Sequence, residues 1–333
     1  MTGRRVFWVI GGVAAVLAAA VAALWTPDLD RRTLQRDYGG PPSRYAEVAP
    51  GLTVHYRDQG PKSGRTVVLL HGAYSSLHAW DGWLPHLTTD DRVVTIDLPG
   101  HGLTGPHPDD DYAIDTMVHT VDRLLAGLGI ERVVIGGNSM GGWVAWRYAA
   151  AHPDKVDGLI LVCAAGIPRA DAAPGREPLG FRIAATPGLS WVARRLTPRW
   201  LAGESLRSVV GTPAAVDEAM VDRHWRLLRH PGNRQAALKR TALLRNPPPA
   251  DALDRIATPT LILWGAEDPL LPAANAEVFH RRIAGSRLVV LDGLGHLPME
   301  EAPDRTAAVV GAFLKGLPGP HRSSASEATP KPL

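Results

Sequence analysis

The sequence predicts an α/β fold with a mostly parallel sheet, and three observations lead to this prediction. Short apolar segments typical of buried strands alternate with helical segments along most of the 333-residue chain. Several of the strand segments run directly into loops rich in Gly, Asp and His, as at the ligand-binding edge of a parallel sheet. The composition, 45% hydrophobic and 21% charged, is sufficient for a sizeable core.

Charge and cysteine content narrow the possible functions. The net charge is only +3, and no basic stripe is interleaved with aromatic residues, so nucleic acid is not a predicted partner. The single cysteine, Cys163, lies in an apolar run, which predicts a buried structural thiol. The sequence has no H-E-x-x-H motif, no C-x-x-C motif and no carboxylate cluster, so neither a metal nor a cofactor is predicted.

The first segment of the chain predicts a single-pass membrane anchor. Residues 6–24 form an uncharged apolar run, which at about 1.5 Å per residue would span a hydrocarbon core of roughly 30 Å. A cleaved signal peptide is the alternative, because Ala20-Val21-Ala22 resembles a cleavage site. Two preceding arginines favour a membrane location with the rest of the chain on the extracytoplasmic side.

The remaining chain divides into a connector, a core with an inserted cap, and a tail. The connector is predicted at 25–45, the core at 46–165 and 251–316, the cap at 166–250, and a disordered tail at 317–333. Strands of the core are predicted at 52–57, 66–70, 93–96, 133–136, 158–164, 259–264 and 287–291. Helices are predicted between them at 77–87, 112–128, 143–150, 273–283 and 304–314.

The cap region is helical in composition but is interrupted by prolines. Trp191, Trp200 and Trp225 would give it an apolar underside that covers a hydrophobic substrate. The cap histidines His224 and His230 are predicted to lie on the surface.

A G-x-S-x-G motif, Gly137-Asn138-Ser139-Met140-Gly141, joins the strand at 133–136 to the helix that follows it. The flanking glycines leave space around a serine that must hold a strained backbone. Ser139 would then stand beside the positive N-terminus of the helix. Ser139 is therefore the candidate nucleophile.

A serine nucleophile needs a base, and the base needs a carboxylate that fixes its tautomer. His296 lies in a Gly-rich loop after the last predicted strand and is the candidate base. Asp268 follows another buried strand and is the candidate carboxylate, with Glu267 as the alternative. The order Ser, Asp, His along the chain supports a triad.

The developing oxyanion needs two hydrogen-bond donors. The backbone N–H groups of Met140 and Ala73 are the candidates, because they follow the nucleophile and the strand at 66–70. His71, Asp97 and His101 are interpreted as loop-shaping residues, not as catalysts. The predicted substrate-binding side chains are those of Tyr74, Trp143 and Leu297.

From about residue 52 to residue 314 the chain closely resembles the α/β-hydrolase superfamily. The resemblance rests on HGAYSSLHAWDGW, DLPGHGLTGP, GNSMGGWVAWRYAAAHPDKV, LILWGAEDPLLP and GHLPMEEAP. It implies an eight-stranded, mostly parallel sheet flanked by helices, with an inserted helical cap. It also implies a cofactor-free enzyme in which Ser139, Asp268 and His296 hydrolyse esters through an acyl-enzyme. The anchor together with GNSMGG resembles the membrane-bound monoacylglycerol-lipase-like and esterase branch, whose substrates are small lipophilic esters.

Other branches of the superfamily remain as alternatives. Haloalkane dehalogenases and epoxide hydrolases carry an aspartate where this chain has Ser139. Hydrolases that cleave C–C bonds of aromatic ring-cleavage products share GNSMGG, but they typically carry a tryptophan where this chain has Leu297. Cofactor-free peroxidase-type members share the triad, whereas non-catalytic binding proteins of this fold often lack one of its members. The sequence does not indicate an oligomeric state.

Overall fold

The computed structural model describes residues 24–168, 194–245 and 250–319, together with isolated positions between 8 and 22 and between 178 and 186. Its strands are β1 (Ser43–Ala49), β2 (Leu52–Gln59), β3 (Thr66–Leu70), β4 (Arg92–Ile96), β5 (Val133–Asn138), β6 (Val156–Val162), β7 (Thr260–Gly265) and β8 (Arg287–Leu291). Its helices are α1 (Arg31–Tyr38), α2 (Leu84–Leu87), α3 (Ile114–Gly127), α4 (Met140–Ala151), α5 (Arg199–Arg207), α6 (Glu218–Leu228), α7 (Asn233–Arg245), α8 (Ala273–Arg282), α9 (Pro298–Glu301) and α10 (Pro303–Gly316).

The strands form one eight-stranded sheet in the order β1-β2-β4-β3-β5-β6-β7-β8. β2 pairs antiparallel with both β1 and β4, and all the other neighbours are parallel. The prediction of a mostly parallel eight-stranded sheet is therefore confirmed. Because β3 to β8 all run in the same direction, the loops that follow them gather at one edge of the sheet.

Two apolar layers cover the sheet, and the central strand β5 contributes to both. Val133 and Ile135 belong to the apolar cluster that includes α3, α4 and α8, whereas Val134 belongs to the cluster that includes α10 and part of the cap. This alternation follows from the two-residue period of a strand. Every residue of β5 is buried, so the strand provides a rigid base for the loop at its end.

The predicted membrane anchor is wrong. Within the described part of the chain, the structure has no helix that is long enough and apolar enough to cross a bilayer. Many residues of the segment 6–24 lie outside the described residues. The membrane location and the extracytoplasmic placement that were inferred from this anchor are not supported either.

Residues 25–45, predicted as a connector, contain regular structure. Helix α1 begins after Asp30, whose carboxylate accepts a hydrogen bond from the Thr33 amide at 3.2 Å, and its Leu34 is fully buried. The first strand begins at Ser43. At the other end of the chain, residues 320–333 of the predicted tail lie outside the described residues.

The described part of the cap consists of helices α5, α6 and α7. Trp191 lies outside the described residues, whereas Trp200 is 56% exposed, so its predicted place on an apolar underside is wrong. The indole of Trp225 donates to the carbonyl of Thr197 at 2.7 Å within the cap. His230, predicted on the surface, is buried.

Candidate active site

Ser139 occupies a strained turn between β5 and α4. Its backbone angles are φ 52° and ψ −117°, a conformation that L-residues rarely adopt. The turn is held on both sides, because the Ser139 amide donates to Val162 at 3.0 Å and its carbonyl accepts from Ala165 at 2.9 Å. A side chain on Gly141 would lie 2.2 Å from the carbonyl oxygen of Leu70, which explains the requirement for glycine there.

Asp268 and His296 form a buried hydrogen-bonded pair. His296 donates from Nδ1 to Oδ2 of Asp268 at 2.7 Å. The other carboxylate oxygen accepts from the amides of Leu270 and Leu271, each at 2.9 Å. The carboxylate is thus held by the backbone on one side and orients the imidazole on the other. Glu267, the alternative carboxylate, is exposed.

The loop that carries His296 meets the elbow that carries Ser139. The side-chain amide of Asn138, the residue before Ser139, donates to the carbonyl of His296 at 3.0 Å. The Asp268–His296 pair and the strained serine are therefore parts of one region at the end of β5, β7 and β8.

The loop after β3 passes directly over the elbow. A side chain on Gly72 would lie only 3.3 Å from Cβ of Ser139, so glycine permits this close approach. Ala73 follows, and Tyr74 adopts φ 61°. Met140, the other predicted oxyanion donor, is the first residue of α4. The two predicted donors thus belong to the two segments that meet at Ser139.

The three predicted substrate-binding side chains lie around this region. The Tyr74 hydroxyl is 2.6 Å from the hydroxyl of Thr241 on α7, and it therefore connects the loop after β3 to the cap. Trp143 is buried, and its ring lies so close to Gly166 that a side chain there would clash with it. Leu297, beside His296, is also buried.

Asp97 organises the loops beside the site. Its carboxylate accepts from His55 Nδ1 at 2.6 Å, from the Leu77 amide at 2.7 Å and from the Leu103 amide at 2.8 Å. Burial alone would raise the pKa of Asp97, but the charge and hydrogen bond of His55 outweigh burial and lower it well below its usual range. Asp97 therefore acts as an ionised anchor for three chain segments.

The histidines of these loops are held by backbone groups. His71 donates from Nδ1 to the Gly72 carbonyl at 2.8 Å, and its Nε2 accepts from the Leu98 amide at 3.0 Å. His101 Nδ1 lies 3.1 Å from the Pro99 carbonyl. Burial lowers the pKa of both imidazoles. Both histidines are neutral groups that shape the loops.

Within the described ranges, one cluster of potential metal ligands was found. Donor atoms of Cys163, Asp268 and His296 lie within 4.8 Å of one another. Burial, followed by the charge of Asp268, raises the pKa of the Cys163 thiol well above its usual value. Since a thiol must lose its proton to bind a metal, the cluster fits a neutral thiol beside a hydrogen-bonded Asp–His pair better than a metal site.

Sequence reasoning missed the roles of two adjacent glutamates that are partly buried. Glu301 accepts hydrogen bonds from the amides on both sides of His296, and Glu300 pairs with the cap residues Arg223 and His224. Both glutamates stand in the motif that contains His296. Their position shortly after a Gly-rich loop was a signal, but their partners in the cap are distant in sequence.

Comparison with known proteins places the chain in a family. The family model described as the alpha/beta hydrolase fold matches residues 65–303. The chain belongs to the α/β-hydrolase fold family. An uncharacterised protein of Mycobacterium tuberculosis is 32% identical over 290 residues, and the alignment covers 82% of each chain.

Two relatives of this α/β-hydrolase carry names that state an activity. Monoacylglycerol lipase abhd6-A of Xenopus laevis is 28% identical over 276 residues, with 79% of each chain covered. The crystal structure of a bacterial membrane phospholipase A is similar with a TM-score of 0.71 and 27% identity, covering 93% of this chain and 96% of that one. These relatives support the assignment of a hydrolase enzyme.

Proposed function

We propose that this α/β-hydrolase cleaves carboxylic esters of lipophilic acyl groups through an acyl-enzyme intermediate. The observation that carries the proposal is the buried Asp268–His296 hydrogen bond beside the strained turn of Ser139. The names of the Xenopus monoacylglycerol lipase and the bacterial phospholipase A favour acyl esters of lipids as the substrate class.

In the proposed mechanism His296 acts first as a base and then as an acid. Ser139 Oγ attacks the ester carbonyl while its proton passes to Nε2 of His296. The C–O bond of the ester then breaks, and the imidazolium returns the proton to the departing alkoxide, which leaves as an alcohol. Water repeats the sequence on the acyl-enzyme and releases the carboxylic acid. Asp268 stabilises the imidazolium through Nδ1.

The backbone amides of Ala73 and Met140 are proposed to bind the oxyanion of both tetrahedral intermediates. Removal of one such donor in other enzymes lowers the rate about 10²–10³-fold. Tyr74, Trp143 and Leu297 are proposed to contact the substrate. Tyr74 also contacts the cap, because its hydroxyl lies 2.6 Å from the hydroxyl of Thr241.

The direct test is labelling with a fluorophosphonate, followed by hydrolysis of p-nitrophenyl esters with short to long acyl chains. We expect Ser139→Ala to abolish labelling and to lower kcat by about 10⁶-fold without loss of fold. The matched control is Ser208→Ala, at an exposed serine of the cap, which should be labelled like the wild type.

The acyl-chain series tests the substrate class. Highest kcat/KM for medium or long chains supports a lipid esterase. Labelling without ester turnover would contradict the ester assignment and would favour cleavage of C–C bonds. That activity is then measured with a product of aromatic ring cleavage as the substrate. A folded wild-type protein that is not labelled at Ser139 would contradict the whole proposal and favour a binding protein.

A further inference from the structure

Glu301 binds the backbone on both sides of His296. Its Oε1 accepts from the amide of Gly295 at 3.0 Å and from the amide of Leu297 at 3.2 Å. Oε2 also lies 3.1 Å from the Gly295 amide nitrogen. One carboxylate therefore holds the peptide groups on both sides of His296 and so fixes the backbone from which the imidazole extends.

The same carboxylate reaches the cap. Oε2 of Glu301 accepts from the amide of Gly211 at 2.8 Å, and the amide of His296 itself donates to the carbonyl of Val209 at 2.8 Å. A side chain on Gly295 would lie 2.4 Å from the Gly211 nitrogen, so the two backbones touch with no side chain between them. The cap segment 209–211 and the His296 loop are thus held together by the Glu301 carboxylate and by a direct backbone hydrogen bond.

Glu300, one residue earlier, makes contacts of a different kind. Its carboxylate pairs with Arg223 and lies 3.5 Å from Nε2 of His224, and both partners belong to α6 of the cap. His224 also donates from Nδ1 to the carbonyl of Tyr74 at 3.3 Å. Glu300 therefore holds cap side chains, whereas Glu301 holds the backbone of the histidine loop.

A carboxyl group fits the surroundings of Glu301 better than an amide. It faces three backbone N–H groups, and a carboxylate offers acceptors alone, whereas an amide must turn its NH₂ group toward at least one of these donors. Burial raises the pKa of Glu301, and the hydrogen bonds from Gly295 and Gly211 offset this effect only in part. The hydrogen-bond partners of this partly buried carboxyl group are backbone amides, so its contribution is to fix these segments and not to form an ion pair.

We propose that Glu301 is a positioning residue for ester hydrolysis. It fixes the backbone around His296 and, through Gly211, makes correct seating of the cap a condition for the orientation of the imidazole. The inference rests on the proposed function, because it assigns His296 the role of the base. Closure of the cap over a substrate and alignment of the His296 imidazole would then depend on the same contacts of Glu301.

The test compares Glu301→Gln with the matched variant Glu300→Gln, which changes an adjacent buried glutamate whose contacts are with cap side chains. The kcat and KM for a p-nitrophenyl ester are measured per active site, with the sites counted by fluorophosphonate titration. We expect Glu301→Gln to lower kcat by about 10–100-fold with little change in KM, because a displaced base acts on the transition state. Glu300→Gln should act mainly on KM, with a smaller loss of kcat.

Equal losses of kcat in the two variants would overturn the proposal, and so would a Glu301→Gln enzyme that retains kcat within about twofold per titrated site. If Glu301→Gln does not fold, Glu301→Asp provides the same comparison, because its shorter carboxylate cannot reach all three amides. A wild-type protein that is neither labelled nor active on esters would refute the proposed function itself, before any variant is compared.

Discussion

At the residue scale, the two oxygens of the Asp268 carboxylate have separate tasks. Oδ1 is satisfied by the amides of Leu270 and Leu271, and this leaves Oδ2 to the imidazole of His296 at 2.7 Å. The backbone of the loop thereby fixes the carboxylate, and the carboxylate fixes the ring. Glu267, although adjacent in sequence, points to solvent and makes no comparable contact with His296 in the described structure.

This division predicts different effects of two neighbouring substitutions. Asp268→Asn should lower kcat by about 10⁴-fold, because an amide at this position stabilises the wrong tautomer of His296. Glu267→Gln should leave kcat within about twofold of the wild type. The measurement is kcat for the best p-nitrophenyl ester, with thermal unfolding as a check on the fold. A greater loss in Glu267→Gln would transfer the orienting role to Glu267.

Residues of the candidate active site differ in how easily they can be predicted from the sequence. The turn at Ser139 and the loop of His296 could be predicted because local glycines mark them. The role of Glu301 could not be predicted, because one of its partners, Gly211, is 90 residues away and carries no side chain that signals a contact. Backbone hydrogen bonds across such distances depend on the folded cap, not on any local pattern.

At the element scale, the junction of β5 and α4 is determined by glycines that lie against the backbone. A side chain on Gly141 would lie 2.2 Å from the Leu70 carbonyl oxygen, and one on Gly137 would lie 2.3 Å from the Gly141 carbonyl. Backbone atoms of a central sheet cannot move aside as a flexible side chain can. The strained turn therefore exists only because strand, turn and helix pack without any side chain at these positions.

The close packing at this junction predicts opposite effects on stability for two glycine-to-alanine substitutions, one at the junction and one away from it. Gly141→Ala should lower the free energy of unfolding by about 3 kcal/mol or more through overpacking, and should slow fluorophosphonate labelling of the remaining folded protein. Gly127→Ala, in α3 with no atom within 4 Å of the added methyl group, should instead stabilise by about 0.5–1 kcal/mol. Urea unfolding measures both changes. Equal stabilities would show that the junction can relax.

Most strands of the core could be predicted more reliably than the edge strand β1 and the cap. The central strands have continuous buried runs, whereas β1 is an edge strand whose residues are only partly buried or exposed, and it gives little apolar signal. In the cap, the wrong prediction for Trp200 has a similar reason. The orientation of α5 depends on contacts with α6, such as that of Arg199 with Asp222, and not on the sequence of α5 alone. The predicted anchor at 6–24 rested on the length and the apolar composition of that run.

At the scale of the whole molecule, the interior contains several histidines that are held neutral. Burial lowers the pKa of His78 to about 3 and that of His230 to about 4, and burial also lowers the pKa of His71 and His101. His78 has a second reason to stay neutral, because its Nε2 accepts a hydrogen bond from Arg57 at 2.8 Å. Protonation would abolish that acceptor.

These histidines make the fold sensitive to acid. Unfolded histidine has a pKa of about 6.5, so below this pH the unfolded chain binds protons that the folded chain excludes. The free energy of unfolding must therefore fall as the pH decreases from about 6.5 toward the folded pKa values of about 4 and about 3. Carboxyl groups with a pKa raised by burial, such as Asp81, act in the opposite direction, but nearer their own unfolded value of about 3.9.

The expected slope can be measured and assigned to single residues. Each extra proton bound by the unfolded chain contributes about 1.4 kcal/mol per pH unit, so His78 and His230 together give roughly 3 kcal/mol per unit near pH 5. Urea unfolding at about pH 7, 6 and 5 measures the slope. His78→Gln keeps an acceptor for Arg57 but cannot titrate, so the free energy of unfolding of this variant should change with pH by about 1.4 kcal/mol per unit less than that of the wild type. The control is His119→Gln, at an exposed histidine, which should leave the pH dependence unchanged. A wild-type stability that is constant from pH 7 to pH 5 would mean that these histidines can become protonated within the fold.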